Sequence, residues 1–314
     1  MKKLFTLTLL ALCAAASHAQ EVKVSVGLSG WTGFAPLTLA KEAGLFKKNG
    51  LDVTLRKIPQ KDRHLAIASG DVQCAATTVE TWIVWNANGV ATTQIFQLDK
   101  SYGADGMVVK GNIAKISDLK GKTVAASAPG TAPYFTMAWM LKKNGLSPKD
   151  VKVVNLEPQA AANAMIAGTD GVDAAMTYEP YLSAVRAKPE AGKIIATTLD
   201  YPMVMDTFGC TPKFLSENPK AAKALADSYF EAVEMIKREP KKSFEIMGAD
   251  VKQSAEQFEA SQKFLRWQDR EANAKFFAGE HATFSKEAAD LLLEVGIIKQ
   301  IPDMAKLADT RFLK

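Results

Sequence analysis

Aromatic and acidic residues recur in short segments that directly follow runs typical of β-strands. Four such segments contain no Arg or Lys. Aromatic faces attract organic cations, and carboxylates accept hydrogen bonds from N–H groups. This chemistry favours a small organic nitrogen compound as the ligand, such as an amine, amidine, guanidine or aminopyrimidine. The segments are residues 29–34, 77–82, 127–133 and 177–180, and the residues concerned are Trp31, Trp82, Tyr178, Glu80, Glu179 and the neighbouring Asp105.

Each candidate residue also has a purely structural interpretation. Trp31 and Thr131 are placed to cap helices, and Glu80 and Glu179 to stabilise helix N-termini through the helix dipole. Asp105 is a common turn residue, and Trp82 is expected on a helix, where an aromatic residue more often packs in the core. The predicted ligand-binding residues are Ser29, Trp31, Phe34, Thr78, Glu80, Trp82, Asp105, Ser127, Gly130, Thr131, Tyr178 and Glu179.

Other kinds of chemistry have little support in the sequence. The three histidines, His18, His64 and His281, have no second His or Cys at metal-ligand spacing. The chain has neither a Gly-x-Ser-x-Gly elbow nor a phosphate-binding loop. Positive and negative charges are interspersed, with no basic tract for nucleic acid. We therefore expect no catalytic residue, no metal, no cofactor and no nucleic-acid partner.

Predicted strands and helices alternate through the first two thirds of the chain, which indicates an α/β fold with crossover helices. In such sheets, ligands bind beyond the carboxyl ends of the strands, where the candidate segments lie. A long amphipathic helix is expected at residues 219–238, and the region after it is mostly helical. The predicted strands are residues 22–27, 51–55, 72–77, 106–109, 123–126, 151–156 and 172–176.

The N-terminus has the pattern of a secretory signal peptide at residues 1–19. Lys2 and Lys3 precede an uncharged apolar run, and Ser17 and Ala19 are small residues before a cleavage site. An uncleaved anchor and a lipid anchor at Cys13 are the alternatives. The apolar run is shorter than the ~20 residues that span a bilayer. We therefore expect a periplasmic location without stable membrane insertion.

Two cysteines remain after that cleavage, Cys74 and Cys210. An oxidising compartment would allow them to form a disulfide. Cys74 lies among small apolar residues, which suits a buried free thiol equally well. Of these two interpretations, we favour free thiols.

Several segments together resemble the periplasmic solute-binding proteins of ABC importers. The most similar subgroup includes the nitrate, sulfonate, taurine and thiamine-precursor binders. Each segment is weak alone, and the combination is fairly specific. The segments are residues 30–36, 40–53, 67–72, 118–125, 130–131 and 172–180.

The resemblance implies a two-lobed, type II-like binding fold with the ligand in the cleft between the lobes. Residues 20–107 and 205–314 would form the first lobe and residues 108–204 the second, with crossings near 106–109 and 203–207. It also implies a monomer that delivers its ligand to an ABC importer permease. A binder of a small anion such as an alkanesulfonate, taurine or nitrate is the alternative. A sensing module, and an enzyme similar to pyrimidine synthases that uses Cys74 and His64, are further alternatives.

Overall fold

The computed structural model describes residues 21–314, so the predicted signal peptide, with Cys13 and His18, lies outside the described residues. The fold is α/β, as expected, with two separate β-sheets surrounded by helices. The strands are β1 (Val22–Leu28), β2 (Leu51–Lys57), β3 (Cys74–Thr78), β4 (Thr93–Ser101), β5 (Asp105–Val109), β6 (Thr123–Ala125), β7 (Lys152–Val154), β8 (Ala174–Tyr178), β9 (Lys193–Thr197), β10 (Met205–Cys210) and β11 (Leu265–Trp267).

The helices alternate with the strands up to β10 and then follow one another. The long helix predicted at residues 219–238 is confirmed. The helices are α1 (Ala35–Glu42), α2 (Leu45–Lys48), α3 (Gln60–Ala68), α4 (Val79–Ala87), α5 (Ala132–Lys143), α6 (Pro158–Ile166), α7 (Tyr181–Arg186), α8 (Pro212–Glu217), α9 (Pro219–Arg238), α10 (Pro240–Asp250), α11 (Ala255–Gln262), α12 (Arg270–Lys275) and α13 (His281–Glu294).

The two sheets define two lobes. The first sheet has the order β11-β4-β10-β3-β1-β2, and its β1 pairs in parallel with β2 and β3. The second has the order β7-β6-β8-β5-β9, with β6 parallel to its two neighbours. We call residues 21–101 and 205–314 the first lobe and residues 105–197 the second lobe. Parallel pairing gathers the carboxyl ends of several strands at one edge of each sheet.

The chain passes between the lobes twice, at residues 102–104 and 198–204. The Thr198 hydroxyl ties the two crossings together, because it lies 2.6 Å from the Ser101 hydroxyl and accepts from the Gly103 N–H at 2.8 Å. The second sheet already begins at Asp105, which pairs with Tyr178 of β8.

Apolar packing between α5 and α13 also joins the lobes. Phe135 and Trp139 of α5 contact Phe284 of α13, at ring-centroid distances of 6.4 and 6.1 Å. Lys142 and Glu294 form an ion pair between the same two helices. None of the helices in residues 21–314 combines the length and apolar character needed to cross a bilayer.

The expectation of two free thiols is wrong. Cys74 and Cys210 form a disulfide between the neighbouring strands β3 and β10, where the two residues are directly opposite each other. Both are fully buried in the core of the first lobe. The small apolar residues around Cys74 belong to β3, an inner strand of the first sheet. A buried thiol and a buried disulfide fit that position equally well, so the sequence pattern does not distinguish them.

Candidate functional site

A small cavity lies between the lobes, at the carboxyl ends of β1, β3 and β8. Its volume is about 20 Å³, enough for about one water molecule. The facing residues of the two lobes are therefore packed closely together, and a ligand larger than water requires them to separate. Residues of both lobes line it: Ser29, Trp31, Phe34, Gln60, Arg63, Thr78, Val204 and Asp206 from the first lobe and its crossing, and Asp105, Ala132 and Tyr178 from the second.

Half of the predicted site residues line this cavity, namely Ser29, Trp31, Phe34, Thr78, Asp105 and Tyr178. Five of them lie at or after the carboxyl end of β1, β3 or β8, and Asp105 begins β5. Their ligand contacts stay a prediction.

Three of the other predicted residues are buried behind the cavity wall. Glu80 is the second residue of α4 and is 1% exposed. Trp82 donates from Nε1 to the Thr207 hydroxyl at 2.7 Å and belongs to the core. Glu179 is fully buried and forms an ion pair with Arg186.

The remaining three predicted residues shape the start of α5. The Ser127 hydroxyl donates to the Leu156 carbonyl at 3.2 Å, and the Thr131 hydroxyl donates to the Ala128 carbonyl at 2.7 Å. Gly130 has a φ of +86°, a left-handed conformation that favours glycine. These residues turn the chain into the helix and do not line the cavity.

Five lining residues have no counterpart among the predicted site residues: Gln60, Arg63, Ala132, Val204 and Asp206. Gln60 and Arg63 lie in the first turn of α3, a helix whose charged sequence is typical of a solvated surface. Asp206 lies near the start of β10, within the second crossing expected near residues 203–207.

Trp31 and Tyr178 form an aromatic wall across the cleft. Their ring centroids are 5.3 Å apart in an edge-to-face arrangement. Trp31 Nε1 lies 3.3 and 3.4 Å from the two carboxylate oxygens of Asp99. Gly33 allows this approach, since a Cβ there would lie 2.2 Å from both Asp99 Oδ2 and Trp31 Nε1. The absence of a side chain at position 33 therefore fixes the position of the indole.

Four carboxyl groups are buried around the cavity: Glu80, Asp99, Asp105 and Asp206, each at most 3% exposed. Burial raises the pKa of Asp105 to about 7 and that of Glu80 to about 8. Burial, together with the charges of nearby carboxyls, raises the pKa values of Asp99 and Asp206, which are opposite each other on β4 and β10. Among residues 21–314, neither oxygen of Glu80 has a hydrogen-bond partner, and Asp105 Oδ2 also lacks one.

Arg63 is the one cationic residue that lines the cavity within residues 21–314. It is 1% exposed, and its guanidinium donates to the Ile58 and Ala76 carbonyls. Burial lowers its pKa to about 10, while Tyr178 and Asp206 act in the opposite direction. The side chain stays charged near neutral pH, because that value is well above 7.

Two hydrogen bonds cross the cleft. The Thr32 N–H of the first lobe donates to the Glu179 carbonyl of the second at 3.4 Å. The Ala132 N–H, at the start of α5 in the second lobe, donates to Gln60 Oε1 of the first at 3.1 Å. Both bonds require the lobes to be together.

The residues around the cavity can bind a small polar molecule once the lobes move apart enough to admit it. They offer two aromatic faces, several carboxyl groups and one guanidinium. Within residues 21–314, no group of three or more His, Cys, Asp or Glu side chains is arranged to hold a metal ion. The disulfide also occupies Cys74, so that residue is not a free nucleophile.

Comparison with known proteins agrees with this architecture. Residues 31–243 match the family described as NMT1/THI5 like. The taurine-binding periplasmic protein of Escherichia coli strain K12 is 30% identical over 230 residues, which are 71% of this chain and 69% of that protein.

Solved structures share the fold at lower identity. The alkanesulfonate-binding protein SsuA from Xanthomonas axonopodis pv. citri, bound to MOPS, has a TM-score of 0.80 at 17% identity and covers 93% of this chain and 99% of its own. The nitrate-binding protein NrtA from Synechocystis PCC 6803 has a TM-score of 0.71 at 18% identity and covers 88% and 82%. The chain therefore belongs to the NMT1/THI5-like family and is a substrate-binding protein of the ABC-importer type.

Proposed function

We propose that this protein captures a short aminoalkanesulfonate, of which taurine is the simplest example, in the periplasm and delivers it to an ABC importer permease. The observation that carries the proposal is the composition of the interlobe site: one buried guanidinium and two buried carboxyl groups, Asp105 and Asp206, line it, with Glu80 and Asp99 buried nearby. A molecule with a negative group at one end and an ammonium at the other complements both.

The anionic end is assigned to Arg63. Its guanidinium uses only part of its hydrogen-bonding capacity on the Ile58 and Ala76 carbonyls. A guanidinium suits a multi-oxygen anion, because its planar N–H groups can form paired hydrogen bonds. The hydroxyls of Ser29 and Thr78 also line the cavity.

The ammonium end is assigned to the carboxyl groups. Asp105 and Asp206 line the cavity, and Asp105 Oδ2 has no hydrogen-bond partner among residues 21–314. A buried carboxyl group without a partner is costly, and an ammonium group from the ligand would remove that cost. Trp31 and Tyr178 would add their ring faces.

The relatives favour a sulfonate over the nitrogen cation expected from the sequence. The names of the compared proteins specify taurine, alkanesulfonate and nitrate, so they support the small-anion alternative better. The buried carboxyl groups disfavour a bare anion such as nitrate, because any of them that ionises repels it, whereas an ammonium group on the ligand would favour their ionisation. Taurine carries both a sulfonate and an ammonium, and MOPS, the ligand named with the Xanthomonas protein, also combines a sulfonate with a basic nitrogen.

Calorimetry with a matched set of ligands tests the proposal. We expect taurine to bind at least ~30-fold more tightly than isethionate, which has a hydroxyl in place of the ammonium, because buried ion pairs are worth several kcal/mol. We expect a similar preference over ethylamine, which lacks the sulfonate. Tighter binding of nitrate, ethanesulfonate or ethylamine than of taurine would contradict the proposal.

A further inference from the structure

Helix α5 of the second lobe receives its N-terminal cap from the first lobe. The first N–H groups of a helix have no partner within the helix, and a nearby side chain usually accepts from one of them. At α5 the local candidate, Thr131, turns its hydroxyl to the Ala128 carbonyl. The Ala132 N–H instead donates to Gln60 Oε1, 72 residues away along the chain.

Gln60 is held in place for this role. Its amide nitrogen donates to the hydroxyls of Thr77 and Thr81, at 2.8 and 2.9 Å. The Thr81 hydroxyl in turn lies 2.9 Å from that of Thr78. These bonds lie within the first lobe, so opening of the cleft leaves them intact. The bond to Ala132 is the one that separation of the lobes breaks.

We propose that Gln60 is a latch of the closed state, which caps α5 across the cleft and sets how long the ligand stays enclosed. The proposal rests on the proposed binding function for the identity of the ligand, and the closure itself does not depend on that identity. Losing a helix cap costs ~0.5–2 kcal/mol, so removal of the latch should shift the balance of closed and open forms by about tenfold.

Two variants remove the same hydrogen bond from opposite sides. Gln60→Ala deletes the acceptor. Ala132→Pro deletes the donor, at a first helical position that tolerates proline. Thr131, before it, has an extended conformation (φ −106°, ψ 160°) that proline also requires of its predecessor. The melting temperature of each variant and the circular dichroism of its helices check that it folds.

The first readout is taurine dissociation by stopped flow, followed through intrinsic tryptophan fluorescence, to which Trp31 at the cavity contributes. We expect each variant to raise the off-rate about tenfold and to change the on-rate less than twofold. The double variant should resemble the single ones, because both changes delete one bond. If Gln60 only contacted the ligand, the effects of Gln60→Ala and Ala132→Pro on the off-rate would add.

The second readout needs no ligand. Fluorophores on cysteines introduced at Lys47 and Lys120, exposed residues of the first and second lobes, report the distance between the lobes. We expect both variants to move the ligand-free population towards the longer distance. Unchanged off-rates and unchanged distances in both variants, or additive effects, would overturn the latch. If taurine does not bind the wild type, the proposed ligand is wrong, and the distances alone decide on the latch.

Discussion

At the scale of single residues, the unusual feature of the site is a buried guanidinium among buried carboxyl groups. Arg63 keeps its position through the Ile58 and Ala76 carbonyls, which fix the plane of its side chain. Charged side chains are rarely buried without a partner. The guanidinium therefore serves two roles, since it offsets part of the negative charge of Asp206 and presents N–H groups to an anion.

We predict that Arg63→Lys weakens taurine binding by at least ~30-fold, because a lysine ammonium cannot reproduce paired hydrogen bonds to a sulfonate. Calorimetry measures the affinity, and a thermal melt confirms that the variant is folded. Arg56→Lys is the matched control, since Arg56 is an exposed arginine of the same lobe that donates to the Asp71 carbonyl. Equal losses in the two variants would contradict a specific role for Arg63.

At the scale of elements, β3 and β10 connect the stability of the first lobe to the site. β3 ends at Thr78, directly before α4 and Glu80, and β10 begins next to Asp206. The last pair of their ladder places Cys74 opposite Cys210, and the disulfide closes a loop of 136 residues. Because the loop is long, the bond should stabilise the folded chain by restricting the unfolded one.

We predict that Cys74→Ala combined with Cys210→Ala lowers the free energy of unfolding by about 4–5 kcal/mol, the value expected for a loop of this length. Urea unfolding measures it. The wild type unfolded in the presence of a reductant should match the double variant, because it loses the same constraint. Two free thiols per chain in the denatured, unreduced wild type would show that the disulfide does not form.

The sequence indicated those elements whose apolar residues alternate regularly. β1 and β2 have valine or leucine at every second position, and α9 has a clear apolar face. β4, β9, β10 and β11 have no counterpart among the predicted strands. β4 carries buried Gln94, Gln97 and Asp99, which give it the appearance of an exposed segment. Their burial depends on partners distant along the chain, such as Asn273 and Trp31.

The sequence also predicted only part of the candidate site. Residues at strand ends could be identified, because parallel sheets bring those ends together. Gln60 and Arg63 could not be identified in this way, since they reach the cavity from the first turn of a helix. The disulfide depends on the register between β3 and β10, which the spacing of the two cysteines along the sequence does not reveal.

At the scale of the whole molecule, the lobes are packed together at one place and separated by an open groove at another. α5 packs on α13 through aromatic side chains. An open groove of about 800 Å³ lies between residues such as Lys57 and Gln257 of the first lobe and Asn163 and Tyr181 of the second. Apolar contacts lose most when they separate in water. We therefore expect the aromatic contact to act as the pivot and the groove to widen when the cleft opens.

The buried carboxyl group of Asp105, which lines the cavity, makes this opening depend on pH. In the closed form the pKa of Asp105 is about 7, whereas solvated carboxyl groups titrate near ~4. Between these values the closed form binds more protons than an open form in which Asp105 is solvated. Linkage then requires acid to favour closure, and the advantage is lost as the pH rises through about 7.

We predict that the ligand-free protein becomes more closed as the pH falls from about 8 to about 5, as measured by the fluorophore pair at positions 47 and 120. Asp105→Asn should weaken this dependence, because an amide does not titrate. The measurement stops near pH 5 to avoid acid unfolding. Hydrogen bonds from the Ala272 N–H and from Arg311 lower the pKa values of Asp269 and Asp309, respectively, and these stabilising bonds begin to be lost in stronger acid. Saturating taurine should reduce the dependence, as the ammonium group stabilises ionised carboxylates in the closed form. An interlobe distance that stays constant over this range, or shortens at high pH, would contradict a raised carboxyl pKa in the closed form.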